Sequence, residues 1–156
     1  METYELKLEQ LRLAKKITTL DKIKNPKTIG AAICINKENS LIAAVVTFSY
    51  PELTLLEKHT YTHANPLPFK ADFQAYREMP AIIEAFNLLD EEPDILLVHG
   101  RGINHPRKIG LASHLGLMLN QPTIAITDKE SPTTTDEIVS ITFQSRPHAN
   151  PLFISP

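Results

Sequence analysis

The sequence predicts an α/β fold: a mixed sheet, made of an antiparallel meander plus parallel strands, with helices on both faces. Three observations point there. Strand-like runs between Thr28 and His63 are joined by short turns, which favours antiparallel pairing. Beyond them, apolar strand runs alternate with helical patterns, as in parallel β–α–β connections. The run Ile95–Val98 is continuously apolar, as expected of a strand covered on both faces.

The 156 residues suit a single domain spanning 1–156, long enough to bury a core. A hydrophobic content of 42% with 22% charged residues is that of a globular chain rather than a disordered one. A net charge of -2 excludes a strongly basic nucleic-acid footprint, so phosphate contacts must come from locally placed cations. Cys34 is the only cysteine, which excludes an intrachain disulfide or cysteine zinc site, and its apolar setting reads as a packed thiol. The longest apolar run, Leu41–Val46, is too short to cross a bilayer. Glu2, Glu5 and Glu9 do not suit a signal peptide. A cytoplasmic protein with no membrane partner is expected.

Residues 3–18 show helical spacing, with Leu6, Leu8, Leu11, Leu13 and Ile17 as the apolar side. Leu20–Lys27 is a connector in which Pro26 ends any helix. Strands are expected over 28–35, 40–50 and 53–63, the last with Leu55, Glu57, His59 and Tyr61 on one face. Pro66 and Pro68 make 64–72 a loop. Pro80–Leu89 reads as a helix with Ile82, Ile83, Phe86 and Leu89 inward. Pro80 then takes a first-turn position and Glu78 sits just before the helix. After the strand at 95–98, Pro106–Leu119 reads as a helix whose Gly110 and Gly116 allow close approach to a sheet. Thr123–Thr127 is another strand, and Glu137–Ser145 with Pro151–Ser155 a final strand pair. This is the element order of an RNase H-like domain. Ligands of such sheets sit outside the carboxyl ends of the central strands, where His99 and Asp128 fall.

Two readings stay open at each candidate site. Gly100-Arg101-Gly102 gives backbone N–H groups room to face a ligand, or is simply a turn. Arg107 and Lys108 fall in the first turn of the next expected helix, where each cation opposes the dipole by roughly 0.3–1 kcal/mol unless an anion shares the site. Alternatively they are solvated side chains with packed stems. Glu78, His99 and Asp128 form a mixed oxygen and nitrogen metal site, or serve as a helix-start charge, a strand-end hydrogen bond and a loop cap. His105 precedes Pro106, so its backbone is expected to be extended and its ring to line or cap the loop. His59 and His63 read as surface strand residues, His114 as a core or surface helix residue, and His148 as solvated.

The chain resembles the endonuclease V family over most of its length. The resemblance rests on Leu8-Glu9-Gln10-Leu11-Arg12-Leu13-Ala14-Lys15-Lys16, on Thr28-Ile29-Gly30, on Ala43-Ala44-Val45-Val46, on Tyr76-Arg77-Glu78-Met79-Pro80-Ala81, most strongly on Pro93 to Gly116, and then on Pro122-Thr123-Ile124 and Pro151-Leu152-Phe153-Ile154-Ser155-Pro156. It implies cleavage of nucleic acid beside deaminated bases such as inosine, a DNA-repair role, and DNA or RNA as partner. It also implies an Asp, Glu, Asp set holding Mg²⁺ or Mn²⁺, which activates water for phosphodiester hydrolysis.

Carried over residue by residue, the first Asp position is Ala32, the Glu is kept as Glu78, and the second Asp is His99. A family lysine is Asp128, with Lys129 beside it. The family's Pro-Tyr-Ile-Pro-Gly wedge is Pro68-Phe69-Lys70-Ala71-Asp72, and the chain stops at Pro156 where members continue with Gly-His and a helix. The resemblance therefore implies a C-terminally shortened, degenerate homologue whose hold on Mg²⁺ is weakened, because two negative charges are gone. Gly100, His105 and Leu111 match the pocket for the flipped base, flanked by Gly102, Arg107 and Lys108, and Phe69 is placed to stack on a base.

Three functions follow. The first is a nucleic-acid binder without the family's metal chemistry. The second is a nuclease rewired through Glu78, His99 and Asp128 and served by Mn²⁺, Fe²⁺ or Zn²⁺. The third is a scaffold or homo-oligomeric subunit, whose structural sign would be an exposed apolar face.

Overall fold

The computed structural model describes residues 3–20 and 23–127. The expected strand pair at 137–145 and 151–155, together with Asp128, Lys129 and His148, lies outside the described residues. Helix α1 spans Thr3–Ala14. Strands β1 (Thr28–Lys37), β2 (Ser40–Ser49) and β3 (Leu55–Ala64) follow, then helix α2 (Gln74–Phe86), strand β4 (Ile95–His99), helix α3 (Leu111–Leu119) and strand β5 (Thr123–Ile126).

The five strands form one mixed sheet in the order β3-β2-β1-β4-β5. The meander is antiparallel, with Ala32 opposite Val45 and Ala44 opposite Thr60. Strand β4 returns parallel to β1, aligning Ala32 with Val98, and β5 lies parallel to β4. Asp94 sets this register at the strand starts: its carboxylate accepts the backbone N–H groups of Lys27 (2.7 Å) and Thr28 (3.0 Å).

Helix α2 packs against β1, β2 and β3, helix α3 packs against β4 and β5, and the two helices touch each other. They therefore share one face of the sheet. Between them and the sheet lies the core, with Ala43, Val45, Ile82, Leu96, Val98, Leu111 and Leu115 fully buried. Alternation along β1 and β2 turns Ile33 and Ile35 to the opposite face, where they are exposed among the described residues. No helix of the described residues is long and apolar enough to cross a membrane.

Three local expectations are corrected. Helix α2 begins at Gln74 and carries Pro80 inside it. Its buried stripe (Ala75, Glu78, Ala81, Ile82, Ala85, Phe86) runs at three- and four-residue steps straight through the proline. Pro80 itself faces solvent, so its ring displaces nothing from the core, although it removes one N–H and crowds the carbonyl four residues back. Glu78 is therefore a buried helix residue rather than a charge ahead of the helix.

Helix α3 begins at Leu111, five residues after Pro106. Residues before it are held in turns, with Lys108 at φ 58°. Gly110 is the N-cap and lies against the Arg101 backbone so closely that a Cβ would come 2.3 Å from the Arg101 carbonyl oxygen. That carbonyl accepts the Ala112 N–H at 3.0 Å and so caps the helix from the preceding loop. Arg107 and Lys108 are loop residues and do not oppose the dipole from within the first turn.

In α1 the buried residue is Gln10, whereas Leu8 and Leu11 are exposed. The helix meets the rest of the fold largely through polar bonds, which override its leucine spacing. The Tyr76 hydroxyl donates to Glu9 at 3.0 Å, and the Lys70 ammonium to Thr3.

Candidate functional site

The carboxyl end of β4 runs into Gly100–Gly110, and the loop before α2 folds over it. Gly100 sits at φ 150°, a conformation side chains rarely adopt, and packs against Leu111. The loop N–H groups are largely used within the protein. That of Gly100 donates to Ile126 (2.7 Å), that of Gly110 to the Gly102 carbonyl (2.9 Å), and that of Gly102 to the Asn104 side chain (3.0 Å). This corrects the expectation that Gly100 and Gly102 present free N–H groups to a ligand. An anion that reached this loop would have to be met by side chains or by other backbone groups.

Asp72 is the hub. It occupies φ 64°, which Asp tolerates better than most residues. Its carbonyl oxygen accepts the Gln10 amide (2.9 Å), His105 Nε2 (3.0 Å) and Arg107 Nη2 (3.0 Å). Arg107 also donates through Nε to Gln10 at 2.5 Å and lies 4.8 Å above the Phe73 ring centre. The guanidinium thus ties α1, the 68–72 loop and the glycine loop together. Lys108 is exposed.

His105 is buried and caps the loop with both ring nitrogens, since Nδ1 accepts the Arg107 backbone N–H at 3.1 Å. Burial holds its pKa below the ordinary histidine value, against the opposing pull of the Asp72 carbonyl. Leu111 is fully buried beneath Gly100. Phe69 is exposed on the loop before α2.

The second cluster lies under α2. Glu78 is 8% exposed, and both carboxylate oxygens accept the Gln74 amide, at 3.0 and 3.1 Å. Burial pushes its pKa up, while Gln74, the nearby His99 imidazole and Arg77 pull it down. His99 is exposed at the end of β4 and acts on the buried Glu78 through its charge, with no hydrogen bond between them among the described residues. Ala32 is buried on the α2 face of β1, paired with the residue before His99. The Cys34 thiol lies 3.7 Å from the Glu78 carbonyl oxygen, and burial with the Glu78 charge pushes its pKa up to about 12, so it stays an inert packed thiol.

These donors do not fit the family's Mg²⁺. At the position that the resemblance matches to the first Asp, Ala32 presents only a methyl group, and Glu78 already receives the Gln74 amide. Imidazole is a poor partner for a hard ion. Among the described residues no group of three His, Cys, Asp or Glu side chains is placed to hold a metal.

Sequence reasoning missed Gln74 and Gln10 as site residues and did not pair Arg101 with Asp72. Gln74 precedes Glu78 by four residues, a spacing that reveals the bond once the helix is extended past Pro80. Gln10 carried no local signal.

Known proteins give the same picture. A family profile for endonuclease V matches residues 11–156. The endonuclease V of Ciona intestinalis, solved with a 24mer DNA containing an inosine followed by a ribo-adenosine, superposes with a TM-score of 0.77 at 25% identity, over 92% of this chain and 66% of that one. The catalytic domain of human endonuclease V gives 0.74 at 26% identity, over 83% and 60% of the two chains. The enzyme of Streptomyces avermitilis gives 0.76 at 26% identity, over 82% and 58%. The chain spans less than two thirds of the length of each of these structures.

Proposed function

This chain belongs to the endonuclease V family, and from that premise we propose that it binds nucleic acid carrying a deaminated base without the family's metal-dependent hydrolysis. The observation that carries the reading is the contrast between its two clusters. The loop from Gly100 to Leu111 is tightly built around His105 and Asp72. The cluster at Glu78 has instead lost two anionic side chains, at Ala32 and His99, and its remaining carboxylate faces an amide.

Binding draws on what the loops expose. Phe69 offers a π face to a base, and Arg101 and Lys108 offer charge to phosphates. The likeness to an endonuclease V held on inosine-containing DNA supports inosine as the base. Extruding a base costs a few kcal/mol, least where pairing is already poor, so unpaired or mispaired strands are the preferred substrates.

Fluorescence anisotropy at low salt, with metal chelated, tests this. A labelled strand containing inosine binds more tightly than the same strand with guanine, and Phe69→Ala weakens it. Absence of binding to either strand ends the proposal.

The influence of His99 on the Glu78 charge favours a second reading, a rewired centre for Mn²⁺, Fe²⁺ or Zn²⁺ that would need a further ligand beyond these two, with Asp128, outside the described residues, as the sequence candidate. It predicts strand cleavage with those ions that vanishes in Glu78→Ala. A screen of the three ions that gives no product excludes it.

A further inference from the structure

The two arginines of the glycine loop have different surroundings. Arg107 bonds neutral acceptors and is fixed from three sides. Arg101 instead meets a single carboxylate: its Nη1 lies 3.1 Å from Asp72 Oδ1. This pair bridges the 68–72 loop and the glycine loop, and both side chains stay partly exposed, at 42% and 33%. Three donors to its carbonyl fix the Asp72 main chain beside the glycine loop, which keeps its side chain within reach of Arg101. Its carboxylate rests on Arg101, whose guanidinium is still partly open to an anion.

Resting on the nucleic-acid reading above, we propose that Asp72 is an internal anion that competes with nucleic-acid phosphate for Arg101 and thereby sets the affinity of this loop. A strand that reaches the loop must exchange one carboxylate for one phosphate on the same guanidinium. The exchange is feasible because partly exposed ion pairs are weak, worth at most about 1 kcal/mol, which is about fivefold in affinity. It is selective because phosphate accepts the two-pronged guanidinium fork that the single Asp72 contact leaves half used.

The test is a double-mutant cycle read by anisotropy on the full chain, with a labelled inosine-containing single strand over a series of salt concentrations. Asp72→Asn keeps the backbone anchor and removes the charge. Asp72→Gly suits the backbone at φ 64° and removes the side chain. Both are expected to tighten binding by about three- to fivefold. Both should also steepen the logarithmic salt dependence, by up to about 0.7 for one added phosphate contact on a single strand.

In the Arg101→Gln background the gain from Asp72→Asn disappears, because the cation being contested is gone. A general relief of negative charge would instead give the same gain with or without Arg101, and that result overturns the proposal. Equal binding by wild type and both Asp72 variants, with thermal unfolding confirming the fold, overturns it while leaving the nucleic-acid reading intact. If neither wild type nor the variants bind at low salt, both fall together.

Discussion

His105 Nε2 lies 3.0 Å from the Asp72 carbonyl oxygen while its Nδ1 accepts the Arg107 N–H, so one neutral tautomer serves both bonds. Protonation of Nδ1 would break the second bond and place a cation beside Arg107. The fold therefore prefers the uncharged ring.

Stability should follow that preference. Burial holds the pKa of His105, and likewise that of His114, below the ordinary value. In the unfolded chain these rings take up protons near pH ~6.5, whereas the fold resists protonation until lower pH. The unfolded state then binds more protons, and stability falls with decreasing pH from about 6.5 through the folded pKa values. Thermal unfolding is expected to show a level Tm above neutrality and a declining Tm towards pH ~5. His114→Leu, which removes a buried Nδ1 that has no partner among the described residues, makes the decline shallower. Glu78 contributes with the opposite sign in acid, so the contradicting result is a His114→Leu variant whose Tm falls with pH as steeply as that of the wild type.

Arg107 and Lys108 should separate cleanly on substitution. Arg107→Ala removes the bonds to Gln10 and to the Asp72 carbonyl and the contact with Phe73. A loss of about 2 kcal/mol in urea unfolding is expected, since charged hydrogen bonds are worth more than neutral ones. Lys108→Ala leaves stability within about 0.5 kcal/mol, as for other surface changes, and lowers strand affinity at low salt. Equal stability losses for the two would show that Arg107 is not the structural tie.

The strand plan was legible because β-branched and apolar runs are bounded by turn residues, and Asp94 and the short turns then leave little freedom of register. Helix starts were not legible in the same way. Pro80 and Pro106 each carry a strong first-turn preference. Burial of Ala75 and Glu78 overrides it in α2, and the Arg101 carbonyl capping Ala112 overrides it in α3. The Asp72 hub was out of reach because its partners Gln10, His105 and Arg107 lie 62, 33 and 35 residues away. The assignment of Ala32, Glu78 and His99 to family positions rests on the resemblance alone. That Gln74 bonds the remaining carboxylate was not, since the bond depends on six helix residues ahead of Pro80.

Glu78 should behave as a residue kept at a cost to stability. Its pKa is raised in the fold, chiefly by burial. Its stabilising contribution is present below the unfolded value of about 4.3 and is lost as pH rises through the folded pKa. Glu78→Gln keeps the shape and removes the charge, so it is expected to unfold at a higher urea concentration than wild type at pH ~7, with the difference shrinking in acid. A destabilised Glu78→Gln at neutral pH would indicate that the charged form is held by an attraction stronger than Gln74 and His99 provide.

Strand cleavage in saturating Mg²⁺ tests the central claim most directly. An end-labelled strand containing inosine, incubated with excess purified wild-type protein, is expected to be bound and to remain intact. A nick formed by the wild type in Mg²⁺ and lost in Glu78→Ala would contradict the account, because a site with Ala32 and His99 in place of two carboxylates would then be supporting the hydrolysis it is argued to have lost.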